Sequence, residues 1–185
     1  MALRSTMVPL GTPAPPFALP DLTGSTVRLE ELGDQTVLVV AFVCNHCPYV
    51  QHIEQELAAL SERSTAAFVA ICSNDAQSYP DDSVAGLRIQ ADRSGWRFPY
   101  LVDAHQSVAA AYGAVCTPDF FVYDSARKLT YRGAFDESTP NNANPVNGSL
   151  LADAIARSAR NEPVPEPHRP SMGCGVKWLP GKEPQ

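Results

Sequence analysis

The stretch Thr36-Val37-Leu38-Val39-Val40-Ala41-Phe42-Val43-Cys44-Asn45-His46-Cys47-Pro48 decides how the rest of the chain is read. Its first part is an apolar, β-branched run without polar alternation, so it predicts a central strand buried on both faces. Its second part is a C-x-x-C loop closed by a proline. Beyond it Val50, Ile53, Leu57 and Leu60 recur at helical spacing, and Pro48 suits the first helical turn, where no backbone donor is missed. The cysteines are therefore expected where a buried strand hands over to a helix.

That location has chemical consequences. Unpaired backbone N–H groups and the positive end of the helix dipole stabilise a thiolate, which lowers a cysteine pKa below its free value of about 8.5. Cys44, ahead of the helix, is expected to be the more exposed and more acidic thiol and the nucleophile. Cys47, one turn on and packed inward, is expected to attack the mixed disulfide and release the product. His46 is expected to tune the pair by favouring thiolate, and His52 is read as a solvated helix position. A C-x-x-C also supplies half of many zinc sites, but zinc needs a second pair, and Cys72, Cys116 and Cys174 are dispersed. No metal and no organic cofactor is expected.

Working outward, Ala67 to Cys72 reads as a second buried strand with a structural Cys72, Ser83 to Ser94 as a helix, and Tyr100 to Val102 as a short strand. Asp103 with Gln106 resembles a capping box that opens a short helix ended by Gly113. Phe120 to Tyr123 and Leu129 to Ala134 form a hairpin across the turn-prone residues 124–128. Leu150, Leu151, Ala154 and Ile155 place one apolar face on a closing helix. The alternation predicts an α/β fold with a central mixed sheet of about four or five strands. Residues 1–13 are read as an extension, 14–160 as the domain, and 161–185 as a proline-rich tail. In that tail Pro163, Pro165, Pro167, Pro170, Pro180 and Pro184 forbid a continuous helix. Val176, Trp178 and Leu179 offer apolar surface that should dock on the body.

Composition narrows the partners. With 44% hydrophobic and 18% charged residues, the 185-residue chain can bury a sizeable core. A net charge of −6 without any basic run argues against nucleic acid and anionic membrane as partners. No apolar run approaches the roughly 20 residues of a spanning helix. The opening stretch Met1 to Pro20 has no apolar h-region, so a cytoplasmic location is expected. Five cysteines are too few, and odd in number, for the framework of a small secreted domain.

A second element, Cys116-Thr117-Pro118-Asp119, precedes the apolar strand at Phe120, and a proline opening such a strand is a candidate cis bond. A strand, a C-x-x-C at a helix start and a later Thr-Pro ahead of a hairpin together resemble thioredoxin-like proteins. In that family the proline is cis and faces the cysteine pair. The chain is also similar to peroxiredoxin-like, AhpC/TSA-related redoxin proteins. The similarity rests on Phe42-Val43-Cys44-Asn45-His46-Cys47-Pro48-Tyr49-Val50, Ser73-Asn74-Asp75, Cys116-Thr117-Pro118-Asp119-Phe120, Tyr131-Arg132-Gly133 and Gly173-Cys174-Gly175-Val176-Lys177-Trp178.

The resemblance implies a thioredoxin-like fold and thiol–disulfide oxidoreduction on a protein or small-thiol substrate. Thr117 and Pro118 would offer backbone edges to an extended substrate strand. Two departures stand out. Peroxiredoxins generally carry a proline and a threonine seven and three residues before the peroxidatic cysteine, where counting from Cys47 finds Val40 and Cys44. Thioredoxins carry a buried acid where this chain has Leu38, which leaves His46, Asp75 or water to accept a proton. Cys116 and Cys174 are candidate accessory thiols, paired with each other if the tail docks. Two further readings stay open: a peroxidase acting through Cys47 or Cys44, and a carrier in which Cys44, Cys47 and His46 hold Cu(I).

Overall fold

The computed structural model describes residues 2–33 and 36–183; Met1 and Pro184, named above, lie outside the described residues. The chain opens with β1 (Ala2–Arg4) and the hairpin β2 (Ala18–Pro20) and β3 (Thr26–Arg28), then enters β4 (Leu38–Phe42). There follow α1 (Pro48–Arg63), β5 (Ala67–Cys72), α2 (Val84–Ser94), β6 (Tyr100–Val102) and α3 (Ser107–Tyr112). The chain continues through β7 (Cys116–Thr117), β8 (Asp119–Tyr123), β9 (Leu129–Gly133), α4 (Ser149–Ala159) and β10 (Met172–Gly175).

β4 is the middle of a five-stranded sheet of order β6-β5-β4-β8-β9. It runs parallel to β5 and antiparallel to β8, and this position explains its unbroken apolar sequence. Leu38, Val40 and Phe42 face one core together with Phe121 and Tyr112 of α3. Val39, Ala41 and Val43 face the other, together with Leu57 of α1 and Leu151 of α4. Every residue of β4 is buried, so a truncation such as Phe42→Ala costs about 3–5 kcal/mol. Among the described residues no helix is long and apolar enough to cross a membrane.

Local signals set the ends of the helices. Cys47 is the N-cap of α1, with Pro48 in the first turn. Ser83 caps α2 by accepting from the Gly86 N–H, and Gly95 closes it in the left-handed region. Ahead of α3 the expected capping box is only half present. Asp103 Oδ2 accepts from the Val108 and Ala109 N–H groups at 3.1 and 2.9 Å. Gln106, however, is itself the N-cap at φ 61°. Its side chain donates to the Ser73 and Lys177 carbonyls and accepts from the Leu179 N–H. The glutamine is diverted from the helix to hold the C-terminal segment.

That segment packs on the body and reaches the cysteine end of the sheet. β10 lies between β1 and β7, antiparallel to both, with Cys174 opposite Thr117 and Gly175 opposite Cys116. Further on, the Lys177 N–H donates to Asn74 Oδ1 at 2.8 Å and its carbonyl accepts from the Asp75 N–H at 2.9 Å. Val176 is buried, and Trp178 packs against the core on the α3 side of the sheet.

Candidate redox site

The loop from Cys44 to Cys47 is pinned from both ends. Val43 N–H donates to the Ile71 carbonyl at 3.0 Å, and the Cys47 carbonyl accepts from Val50 and Gln51 N–H at 3.0 Å each. Inside the loop the Asn45 carbonyl accepts from Gln51 Nε2, while Asn45 Nδ2 donates to the Asp81 and Gly86 carbonyls. Gln90 Nε2 donates to the Cys44 carbonyl at 3.2 Å and is itself oriented by the Tyr100 hydroxyl at 2.9 Å.

One residue that sequence reasoning missed organises this flank. Asp82 is 1% exposed. Its Oδ1 accepts from the Asn45 and His46 N–H groups at 2.7 and 3.3 Å. Its Oδ2 accepts from Asn74 Nδ2 at 2.7 Å and lies 2.6 Å from His46 Nδ1. The His46 ring stacks on Tyr79 with centroids 5.3 Å apart. Nothing in Pro80-Asp81-Asp82 marks the second acid as buried; only the docking of α2 beside the loop makes it so. Asp75, an expected alternative acceptor, is instead half-buried and accepts from the Gln77 N–H in its own turn.

Across the loop stands Thr117, joined to Pro118 by a cis peptide bond. Its hydroxyl is 3.2 Å from Cys44 Sγ, and its carbonyl accepts from the Cys47 thiol at 3.1 Å. Both sulfurs are closed off, each cysteine being 0% exposed.

The two thiols differ in proton affinity, and in the opposite sense to the expectation. Cys44 is held well above the ordinary thiol range: it serves as donor to Cys47, it is buried, and the Asp82 carboxylate faces it. Cys47 is lowered chiefly by that same hydrogen bond from Cys44. Burial opposes this, and donors from the Cys174 backbone and thiol and the Val50 backbone add to it. The Thr117 carbonyl favours the protonated form of Cys47 but is outnumbered by these donors. The reason is positional. α1 begins at Pro48, so the N-terminal donors converge on Cys47, whereas Cys44 lies farther back, toward a carboxylate. Cys44 is therefore neither the more exposed nor the more acidic of the two.

The remaining thiols sort by position. Burial pushes Cys72 up, in keeping with a structural role. Cys116 is also fully buried and pushed up by burial. The thiol that Cys174 meets is Cys47, so the expected Cys116–Cys174 pairing is replaced by a different one. A second finding concerns substrate binding: Thr117, expected with Pro118 to offer a backbone edge to a substrate strand, is already paired with Cys174 of β10. Asp119, which follows Pro118, is fully buried, and burial holds its carboxyl well above the usual range. His52, expected to be solvated, is half-buried, with its ring 3.1 Å from the Ser138 hydroxyl.

Cys44, His46 and Asp82 each place one potential ligand atom within 4.8 Å of the others. A soft cation would find donors here, although both Asp82 oxygens already accept hydrogen bonds from neighbouring groups.

A five-stranded mixed sheet, a cysteine loop at a strand-to-helix junction and a facing cis-proline define a thioredoxin-like protein. The chain belongs to the AhpC/TSA family, which matches residues 10–132. It is similar to the solved structure of an uncharacterized conserved protein from Geobacillus kaustophilus, at 45% identity over 98% of each chain, with a TM-score of 0.95. A hypothetical protein from Sinorhizobium meliloti matches at 42% identity over 96% of this chain and 99% of that one, with a TM-score of 0.93. The fold is shared with a secreted Mycobacterium tuberculosis disulfide oxidoreductase homologous to E. coli DsbE. There the identity is 18% over 76% of this chain and 94% of that one, with a TM-score of 0.61. No curated protein matches significantly.

Proposed function

We propose that this protein is a thiol–disulfide oxidoreductase in which Cys47 attacks and Cys44 resolves. The observation that carries the reading is positional: Cys47 is the N-cap of α1, where the helix donors favour a thiolate, whereas Cys44 lies farther back beside the Asp82 carboxylate. A thiolate at Cys47 attacks one sulfur of a substrate disulfide; the old S–S bond breaks and the leaving thiolate takes up a proton. Cys44 then gives up its proton, for which His46 and Asp82 are the nearby acceptors. Its sulfur attacks Cys47, forming the Cys44–Cys47 bond and releasing the second substrate thiol. The description of the mycobacterial neighbour as a disulfide oxidoreductase supports this chemistry. Substrates of this type are protein or small-thiol disulfides, and no organic cofactor enters any step.

Equilibration in glutathione buffers of graded poise tests the reading. A Cys44–Cys47 disulfide that forms and disappears as one two-electron couple is expected; no such disulfide at any poise overturns it. Membership of the AhpC/TSA family, with the acidic thiol at Cys47, favours a second reading in which the same thiolate reduces hydroperoxides. Stoichiometric consumption of peroxide against an external thiol distinguishes it.

A further inference from the structure

Resting on the oxidoreductase reading, we propose that Cys174 is a third redox thiol, exchanging with Cys47 from a strand that occupies the place of an extended substrate. β10 pairs antiparallel with Cys116 and Thr117 beside the cis-proline, with Cys174 directly opposite Thr117. The Thr117 carbonyl lies 3.1 Å from Cys47 Sγ. This backbone edge and this sulfur are what an incoming peptide disulfide must reach. Gly173 makes the approach possible, because a Cβ there would overlap the Thr117 carbonyl. Next to it, Cys174 packs against the core that contains Cys47, directly opposite the residue whose carbonyl meets that sulfur.

Exposure gives the arrangement a purpose. Cys44, Cys47, Cys72 and Cys116 are buried, and Cys174 alone is partly open to solvent. Once a substrate disulfide, admitted while β10 is unpaired from Thr117, has oxidised the pair and the strand has paired again, the Cys174 thiol loses its proton and attacks Cys47. The Cys47–Cys174 bond forms, the Cys44–Cys47 bond breaks, and the Cys44 sulfur leaves as thiolate and takes up a proton. The disulfide has moved from a closed site to a partly open one. An external dithiol then reduces it with two electrons and restores both thiols. The thiol of Cys174 is pushed up by burial and by Cys47, while Lys177 pulls it back; loss of the Cys47 contribution when that sulfur is oxidised favours the attack.

The test uses the full-length Cys44→Ser protein, treated with oxidised glutathione and mapped by non-reducing mass spectrometry. An intramolecular Cys47–Cys174 disulfide is expected as the main product. A glutathione adduct that persists on Cys47 overturns the proposal. As a measurement independent of the variant's folding, wild-type protein is also acid-trapped during turnover with a dithiol reductant. A transient Cys47–Cys174 species supports the proposal, and its absence while Cys44–Cys47 cycles normally sinks it alone. If the Cys44–Cys47 disulfide never forms in the wild type, the oxidoreductase reading falls with it. In Cys174→Ala, loss of most dithiol-driven turnover is expected, with the Cys44–Cys47 disulfide still formed.

Discussion

The two flanks of the cysteine loop are built from opposite chemistry. On the α2 flank a buried carboxylate, Asp82, gathers the N–H groups of Asn45 and His46 and faces Cys44. On the β10 flank Cys47 receives donors from α1, from Cys44 and from Cys174. Two cysteines only three residues apart consequently sit in opposite electrostatic surroundings. The spacing of a C-x-x-C does not say which sulfur attacks; what lies on each side of it does.

The strongest way to break that comparison is to remove one sulfur at a time. Cys47→Ser is expected to reduce substrate disulfides at background rate. Cys44→Ser should still form a mixed disulfide on Cys47 that mass spectrometry can trap. A mixed disulfide trapped on Cys44 in the Cys47→Ser protein, at wild-type rate, would reverse the assignment.

Next in size is the carboxylate. Asp82→Ala leaves the Asn45 N–H and Asn74 Nδ2 buried without their acceptor. It should therefore lower unfolding stability by about 1–3 kcal/mol for each unsatisfied donor, read in urea titration. Asp82→Asn keeps the size of the side chain and removes the charge. Cys44 should then titrate lower than in the wild type, as read from the pH dependence of alkylation. An unchanged Cys44 profile would show that Asp82 positions the loop without acting on the thiol.

Proton linkage provides a third, gentler probe of the β10 flank. Cys47 has a lowered pKa in the folded, reduced protein, so the unfolded chain binds more protons there. Stability from this group is fully present above the unfolded value of about 8.5 and is lost as pH falls through the lowered folded value. Denaturation of the reduced protein at a series of pH values should show this slope, and Cys47→Ser should lack it. The smallest effect is expected at Lys177, which lowers the Cys174 pKa and sits 5.5 Å from the Tyr79 ring centroid. Lys177→Met should raise the Cys174 pKa and change stability by less than about 1 kcal/mol. A larger loss in calorimetry would mean that the lysine holds the C-terminal segment in place.

Much of this was legible in advance, and for identifiable reasons. Residues 36–43 allow only a strand covered on both sides, Pro48 and the spacing of Val50, Ile53 and Leu57 announce α1, and Gly113 ends α3. Each of these signals is local. Asp82, Gln106 and Cys174 were read incompletely or missed because their roles depend on partners distant in sequence. Asp82 meets a loop 36 residues away, Gln106 a carbonyl 71 residues away, and Cys174 a strand at Thr117 in a different part of the chain.

By itself, then, the sequence determined the class of fold, the strand-to-helix placement of the two cysteines and the Thr-Pro that faces them. These follow from short-range rules: hydrophobic period, proline geometry and helix capping. Tertiary structure alone decided that Asp82 stands beside Cys44 and that the chain's own C-terminal strand pairs beside the site. Proton affinity and access are set by dipoles, charges and backbone edges converging from separate elements, and that convergence exists only once the chain has folded.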